Sequence, residues 1–132
     1  MNSFKIKFNE NEKNELKSII EKKNPCDLEV NESFNSIWYQ DPKSETELRI
    51  LFLENYRLTV SRVAFKNKRS GTMTDVYEFL KTFCKRNQIE KLVIQSVETE
   101  EMAAFCVKNG LIPNQFCIDA GNYLMGDYEM EL

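Results

Sequence analysis

The chain has 132 residues, with 18 Lys and Arg against 21 Asp and Glu, a net charge of −3, and no histidine. The length fits one domain, the 42% hydrophobic content is that of a chain with a core, and the charge gives no electrostatic reason to expect nucleic acid. Without imidazole, Ser-His-Asp and Cys-His nucleophile systems and His-ligated zinc or haem are excluded.

Cys26, Cys84, Cys106 and Cys117 form no C-x-x-C pair and no metal-ligand spacing. The first residues, MNSFKIKFNENEK, are polar and hold no apolar signal core, and no apolar run approaches the roughly 20 residues of a membrane span. The expectation is a cytoplasmic protein with reduced thiols, no metal and no membrane contact.

In chain order, residues 3–8 alternate as a short strand does. Asn9 or Asn11 then caps a helix with Glu10, Glu12 and Glu15 in or near its first turn and one apolar stripe, Leu16, Ile19 and Ile20. Asn24-Pro25 stops it, and 26–36 reads as a loop with at most a short strand or helical turn. Strands are expected at 36–39, 48–53 and 58–65, the last two joined by the turn 54–57 as a hairpin. The basic loop Lys66-Asn67-Lys68-Arg69-Ser70-Gly71 leads into a helix over 72–86, whose Met73, Val76, Phe79, Leu80 and Phe83 share a face, with Thr72 and Asp75 spaced as a capping pair. Residues 91–97 read as a strand covered on both faces, so strand, helix and strand make a right-handed parallel crossover. A helix over 99–109 ends at Asn109-Gly110. Strand material follows at 117–118 and 123–130 around the turn 119–122, with Asp127, Glu129 and Glu131 on the outer face of an edge strand. The whole is an α/β fold, a mixed sheet with helices on both faces.

The loop before the second helix is the most informative local feature. A helix opened by a glycine loop leaves its first N–H groups unpaired, and with the macrodipole they favour an anion such as phosphate. Lys66, Lys68 and Arg69 concentrate positive charge there in an otherwise acidic chain. The pattern G-x-x-x-x-G-K-[ST] is absent, so the loop is not a P-loop.

Taken together, Lys66-Asn67-Lys68-Arg69-Ser70-Gly71-Thr72, the helix–strand–helix that follows, and Phe105-Cys106-Val107-Lys108-Asn109-Gly110-Leu111 resemble the GNAT superfamily of N-acetyltransferases. The element order resembles that fold over nearly the whole chain, 1–132, as one domain. The resemblance implies acetyl-CoA or another acyl-CoA lying where strand 58–65 splays from strand 91–97. Val63, Ala64 and Phe65 would pair with the pantetheine arm, and backbone N–H groups of about Arg69, Ser70, Gly71, Thr72, Met73 and Thr74 would hold the pyrophosphate, with Lys66, Lys68 and Arg69 adding positive charge. An amine would attack the thioester directly, which needs no histidine.

The chain also departs from the family pattern. Only one loop glycine, Gly71, is present, Thr99 falls where the family has Asn, and Cys106 falls where it often has a general-acid tyrosine. A thiol can in principle protonate a leaving thiolate. Cys106 is therefore a candidate acid beside its reading as a small buried hydrophobe, and Tyr123 and Tyr128 are alternatives. Glu98 and Glu54 are the nearest carboxylates for a general base. The acceptor amine is not legible. Two further expectations are an inactive GNAT-like interaction module and a homodimer formed through the edge strand.

Overall fold

The computed structural model describes residues 6–67, 70–97, 99–114 and 126–132. Helix α1 (Glu10–Lys23) starts at a reciprocal cap: Asn9 Oδ1 accepts from the Glu12 N–H and the Glu12 carboxylate accepts from the Asn9 N–H, both at 2.8 Å. Only Leu16 and Ile20 of this helix are fully buried, as its single apolar stripe requires. Residues 6–9 carry no strand, and the rest of the strand expected at 3–8 lies outside the described residues.

Strands β1 (Glu29–Glu32), β2 (Ser36–Asp41), β3 (Thr46–Leu53) and β4 (Arg57–Ala64) follow as an antiparallel meander. The segment 26–36 thus contains β1, an exposed edge strand with few apolar residues to reveal it. Helix α2 (Thr72–Arg86) crosses to β5 (Lys91–Val97), which pairs parallel with β4. Helix α3 (Glu100–Lys108) leads to the two-residue β6 (Ile112–Pro113), and β7 (Gly126–Glu131) lies between β5 and β6. The sheet order is β1-β2-β3-β4-β5-β7-β6.

Two expectations are corrected here. The strand carrying Asp127, Glu129 and Glu131 is not an edge, because β6 pairs along its outer side at Tyr128 and Glu129. The three α-helices of the described residues also do not lie on both faces. Phe52, Leu58, Leu92 and Met130 are cross-strand partners and so share one face. Phe8, which leads into α1, stacks edge-on against Phe52 and against Phe79 and Phe83 of α2. The Tyr77 hydroxyl of α2 reaches Met130 Sδ, and Tyr77 packs edge-on against Phe105 of α3. The handedness rule explains this placement. The connections β4–α2–β5 and β5–α3–β6 both advance in the same direction across the sheet, so right-handed crossovers put both helices on one side.

Strand β4 contains a bulge. Arg49 pairs with Arg62 but Ile50 pairs with Val60, which leaves Ser61 as the extra residue. The side chains require it: strict alternation from Leu58 and Val60 would turn Arg62 into the core, whereas one inserted residue turns Val63 inward opposite Leu48.

The four-ring cluster at Phe8, which is 3% exposed, ties the start of α1 to the sheet and to α2. Phe8→Ala should therefore destabilise the chain by about 3–5 kcal/mol. Urea unfolding with an unchanged m-value checks this; a loss below about 1 kcal/mol would contradict the packing.

Candidate functional site

Pairing between β4 and β5 is confined to Leu58–Val60 against Leu92–Ile94. Ser61, the bulge, comes immediately after the last paired residue, so β4 bends away where the ladder stops. The divergence leaves a gap between the C-terminal halves of the two parallel strands. In an open parallel sheet, ligands bind outside the carboxyl ends of the strands.

A cavity of about 390 Å³ occupies that position, within the usual range for ligand sites. Val63, Ala64 and Phe65 form one wall, Ser70 to Thr74 the end, and Thr99, Glu101, Met102 and Phe105 of the α3 region the other wall. The cavity thus brings together Val63, Ala64, Phe65, Ser70, Gly71, Thr72, Met73 and Thr74 of the expected cofactor residues. Lys66 is exposed and does not line it. Lys68 and Arg69 lie outside the described residues.

The N-terminus of α2 differs from those of the other two α-helices. Asn9 caps α1, and Thr99 caps α3 by accepting from the Met102 N–H at 3.1 Å. At α2 the N-cap is Gly71, left-handed at φ 88°, with no side-chain cap. The first helical bond runs from the Asp75 N–H to the Gly71 carbonyl, so the N–H groups of Thr72, Met73 and Thr74 have no intrahelical acceptor. These donors, with the helix dipole, are suited to an anion. The capping pair expected of Thr72 and Asp75 does not form, because Thr72 is already helical and Asp75 meets Lys23 Nζ at 3.4 Å.

Asn24 holds this loop in place, a role its sequence position beside Pro25 does not reveal. It is fully buried. Its Nδ2 donates to the Ile20 carbonyl at 3.0 Å and to Thr72 Oγ1 at 2.8 Å, and its Oδ1 accepts from the Asn67 N–H at 2.8 Å. Ser70 Oγ reaches Thr72 Oγ1 and the Asn67 carbonyl, both at 2.9 Å. The end of α1 therefore fixes both the loop and the first residue of α2.

The expected catalytic side chains are not gathered in the cavity. Cys106 is fully buried and absent from the lining, and burial pushes its thiol up to about 12. Glu54 sits in the β3–β4 turn, at the opposite end of β4 from the cavity, in a left-handed conformation at φ 49°. Tyr128 is buried on β7, and Glu98 and Tyr123 lie outside the described residues. The carboxylate that does line the cavity is Glu101, in the first turn of α3. Asn67, Thr99, Met102 and Phe105 also line it without having been singled out as cofactor ligands.

No protein-family model matches the sequence, and no curated protein matches it. Solved structures do. An acetyltransferase of the GNAT family from Staphylococcus aureus Mu50 is 12% identical, with 99% of this chain and 84% of that one covered at a TM-score of 0.51. A GNAT family acetyltransferase from Elizabethkingia anophelis with acetyl-CoA bound is 15% identical over 74% of this chain and 75% of that one, at a TM-score of 0.49. The mixed α/β architecture of this chain is the GNAT fold.

Two predictions follow from the local geometry. Asn24→Ala leaves the Asn67 N–H without its acceptor and frees the loop, so unfolding free energy should fall by about 1–3 kcal/mol. Chemical denaturation measures this, and an unchanged midpoint would remove Asn24 from its anchoring role. The second concerns pH. Cys84 and Cys106, both fully buried, have thiols raised from 9.0 to about 12 by burial. Between those values the unfolded chain has lost these protons and the folded chain keeps them. Stability is complete below pH 9 and falls as pH rises above it, by up to about 1.4 kcal/mol per pH unit for each thiol. Denaturant titrations between pH 8.5 and 10 should show this slope, and Cys84→Ala with Cys106→Ala should flatten it.

Proposed function

We propose that this chain is an acyl-CoA-dependent N-acetyltransferase that moves the acetyl group of acetyl-CoA directly to an amine. The observation that carries the reading is the cavity between the diverging strands β4 and β5, closed at one end by the uncapped N-terminus of α2. The pyrophosphate would lie on the N–H groups of Thr72 to Thr74, with Lys68 and Arg69 adding charge. The pantetheine arm would run along Val63 to Phe65, where β4 has backbone groups beyond its ladder with β5. The apolar side chains of Met73, Met102 and Phe105 suit its methylene and dimethyl groups.

In the reaction the amine nitrogen attacks the thioester carbonyl carbon. The C–N bond forms, the C–S bond breaks, the amine proton leaves through water, and coenzyme A departs as thiolate to be protonated by solvent. Backbone N–H groups at the divergence would stabilise the oxyanion. Cys106 is too buried and too weak an acid to protonate the thiolate in this arrangement. The burial of Cys106 and the remote position of Glu54 favour a second reading, a GNAT fold serving as a protein-interaction module without catalysis.

Calorimetric titration with acetyl-CoA decides between binding and its absence. Saturable binding is expected in the micromolar range, and none at millimolar ligand would overturn the proposal. Lys68→Glu with Arg69→Glu should weaken binding on the order of tenfold or more. Release of free thiol on adding a panel of amines separates transferase from module: binding without release supports the module.

A further inference from the structure

The described α-helices occupy one face of the sheet, and the cavity opens among them. The opposite face presents Trp38, Glu47, Arg49 and Arg62 beside the point where β4 diverges. Trp38, Arg49 and Arg62 are direct cross-strand partners on β2, β3 and β4, and Arg62 is the first residue past the bulge. The register places Arg49 two strands from β5, so its backbone stands roughly 10 Å from that strand at about 4.8 Å per strand.

The cluster is unevenly paired. Glu47 spends both carboxylate oxygens: Oε1 accepts from Trp38 Nε1 at 3.1 Å, and Oε2 accepts from Arg62 Nε at 3.2 Å and Nη2 at 3.1 Å. Arg49 has no such partner. Its guanidinium carbon lies 5.4 Å from the Trp38 ring centroid, and its Nε is buried with no hydrogen bond. Among the described residues it has no carboxylate. A buried donor without an acceptor is rare and unfavourable in a native protein. The Trp38 ring holds the guanidinium in place, and the Nη groups are left as a fork suited to a carboxylate.

The geometry points to Arg49 as the acceptor-binding residue of this chain, taking a carboxylate carried by the amine substrate several bonds from its nitrogen. This rests on the transferase reading. With the cofactor entering from the helical face, the acceptor approaches the gap from the face that holds Arg49. Glu47 offsets Arg62, so the site presents one uncompensated positive charge. That matches a monoanionic carboxylate and disfavours a dianionic phosphate, which would also meet Glu47.

Trp38 is the single tryptophan, so its emission reports on this site without any need for turnover. The probes are a C-terminally amidated tripeptide of alanine and two glutamates, the same peptide with glutamines, and inorganic phosphate. The glutamate peptide should change the emission saturably, the other two should not, and Arg49→Gln should abolish the response. In acetyl transfer, the glutamate peptide should exceed the glutamine peptide about tenfold or more in kcat/KM, and the two should converge in Arg49→Gln. Arg49→Lys keeps the charge but not the fork and should retain only part of the preference. No emission change in the unsubstituted protein, an equal response to phosphate, or a preference that survives Arg49→Gln would each overturn the assignment. Acetyl-CoA binding and transfer without dependence on Arg49 would sink this inference alone. An Arg49-dependent emission response with no acetyl-CoA binding would leave a carboxylate site but overturn its role in the transferase.

Discussion

A parallel ladder of only three residue pairs, Leu58–Val60 against Leu92–Ile94, sets the geometry of everything around it. A longer ladder would have sealed the sheet and left no cavity. The bulge at Ser61 ends it, and the bulge follows from a conflict between side chains and backbone period. Val60 and Val63 both turn toward the helix-covered face although they are three positions apart, and a strand of period two cannot satisfy both without an extra residue. One hydrophobic requirement thus opens the sheet, frees backbone groups on β4 and leaves Arg62 on the other face.

The loop at the end of the cavity gives a weakly basic segment in an acidic chain a geometry suited to an anion. Charge alone would leave a solvated turn. Burial of Asn24 and its three hydrogen bonds fix the position of Asn67 and Thr72, and Gly71 in the left-handed region opens α2 without a capping side chain. Among the described α-helices, α2 is the one that starts without a side-chain cap, so none of its first N–H groups is taken by a capping side chain. The net charge of −3 is compatible with this, because a fixed array of N–H dipoles does not depend on the overall sign of the protein.

Most of the fold was legible in the sequence. Periodicity located α2, β3, β4 and β5 to within two residues, since each buries a regular apolar set. Strand β1 was obscure because an edge strand of Glu, Val, Asn and Glu buries little. The placement of helices depended on the direction of two crossovers and hence on sheet order, which no local pattern contains. The phase break from Val60 to Val63 was a readable sign of the bulge. In the site, the loop and the β4 wall were legible because glycine and basic residues mark them. Asn24 was not, since an asparagine before proline signals a helix stop equally well when it anchors nothing.

The misplaced acid candidate has a physical lesson of its own. Aligned on Gly110, Cys106 takes a position suited to donating a proton, yet the same helical turn that ends at Gly110 points it inward, beside the Leu111 N–H that returns to the Cys106 carbonyl at 2.9 Å. A tyrosine is long enough to carry a hydroxyl out of such a position, whereas a thiol stays where its Cβ leaves it. The side chain is then buried, its proton becomes harder to lose, and the position turns from reactive to structural. Any catalysis on this scaffold would therefore have to come from placement. On the proposed transferase reading the thioester would sit among the backbone groups of β4 and the amine would come from the opposite face, where the Arg49 Nε is buried without a hydrogen bond. That division would give one face of the sheet to the cofactor and the other to the acceptor, with the gap between β4 and β5 as the place where they would meet.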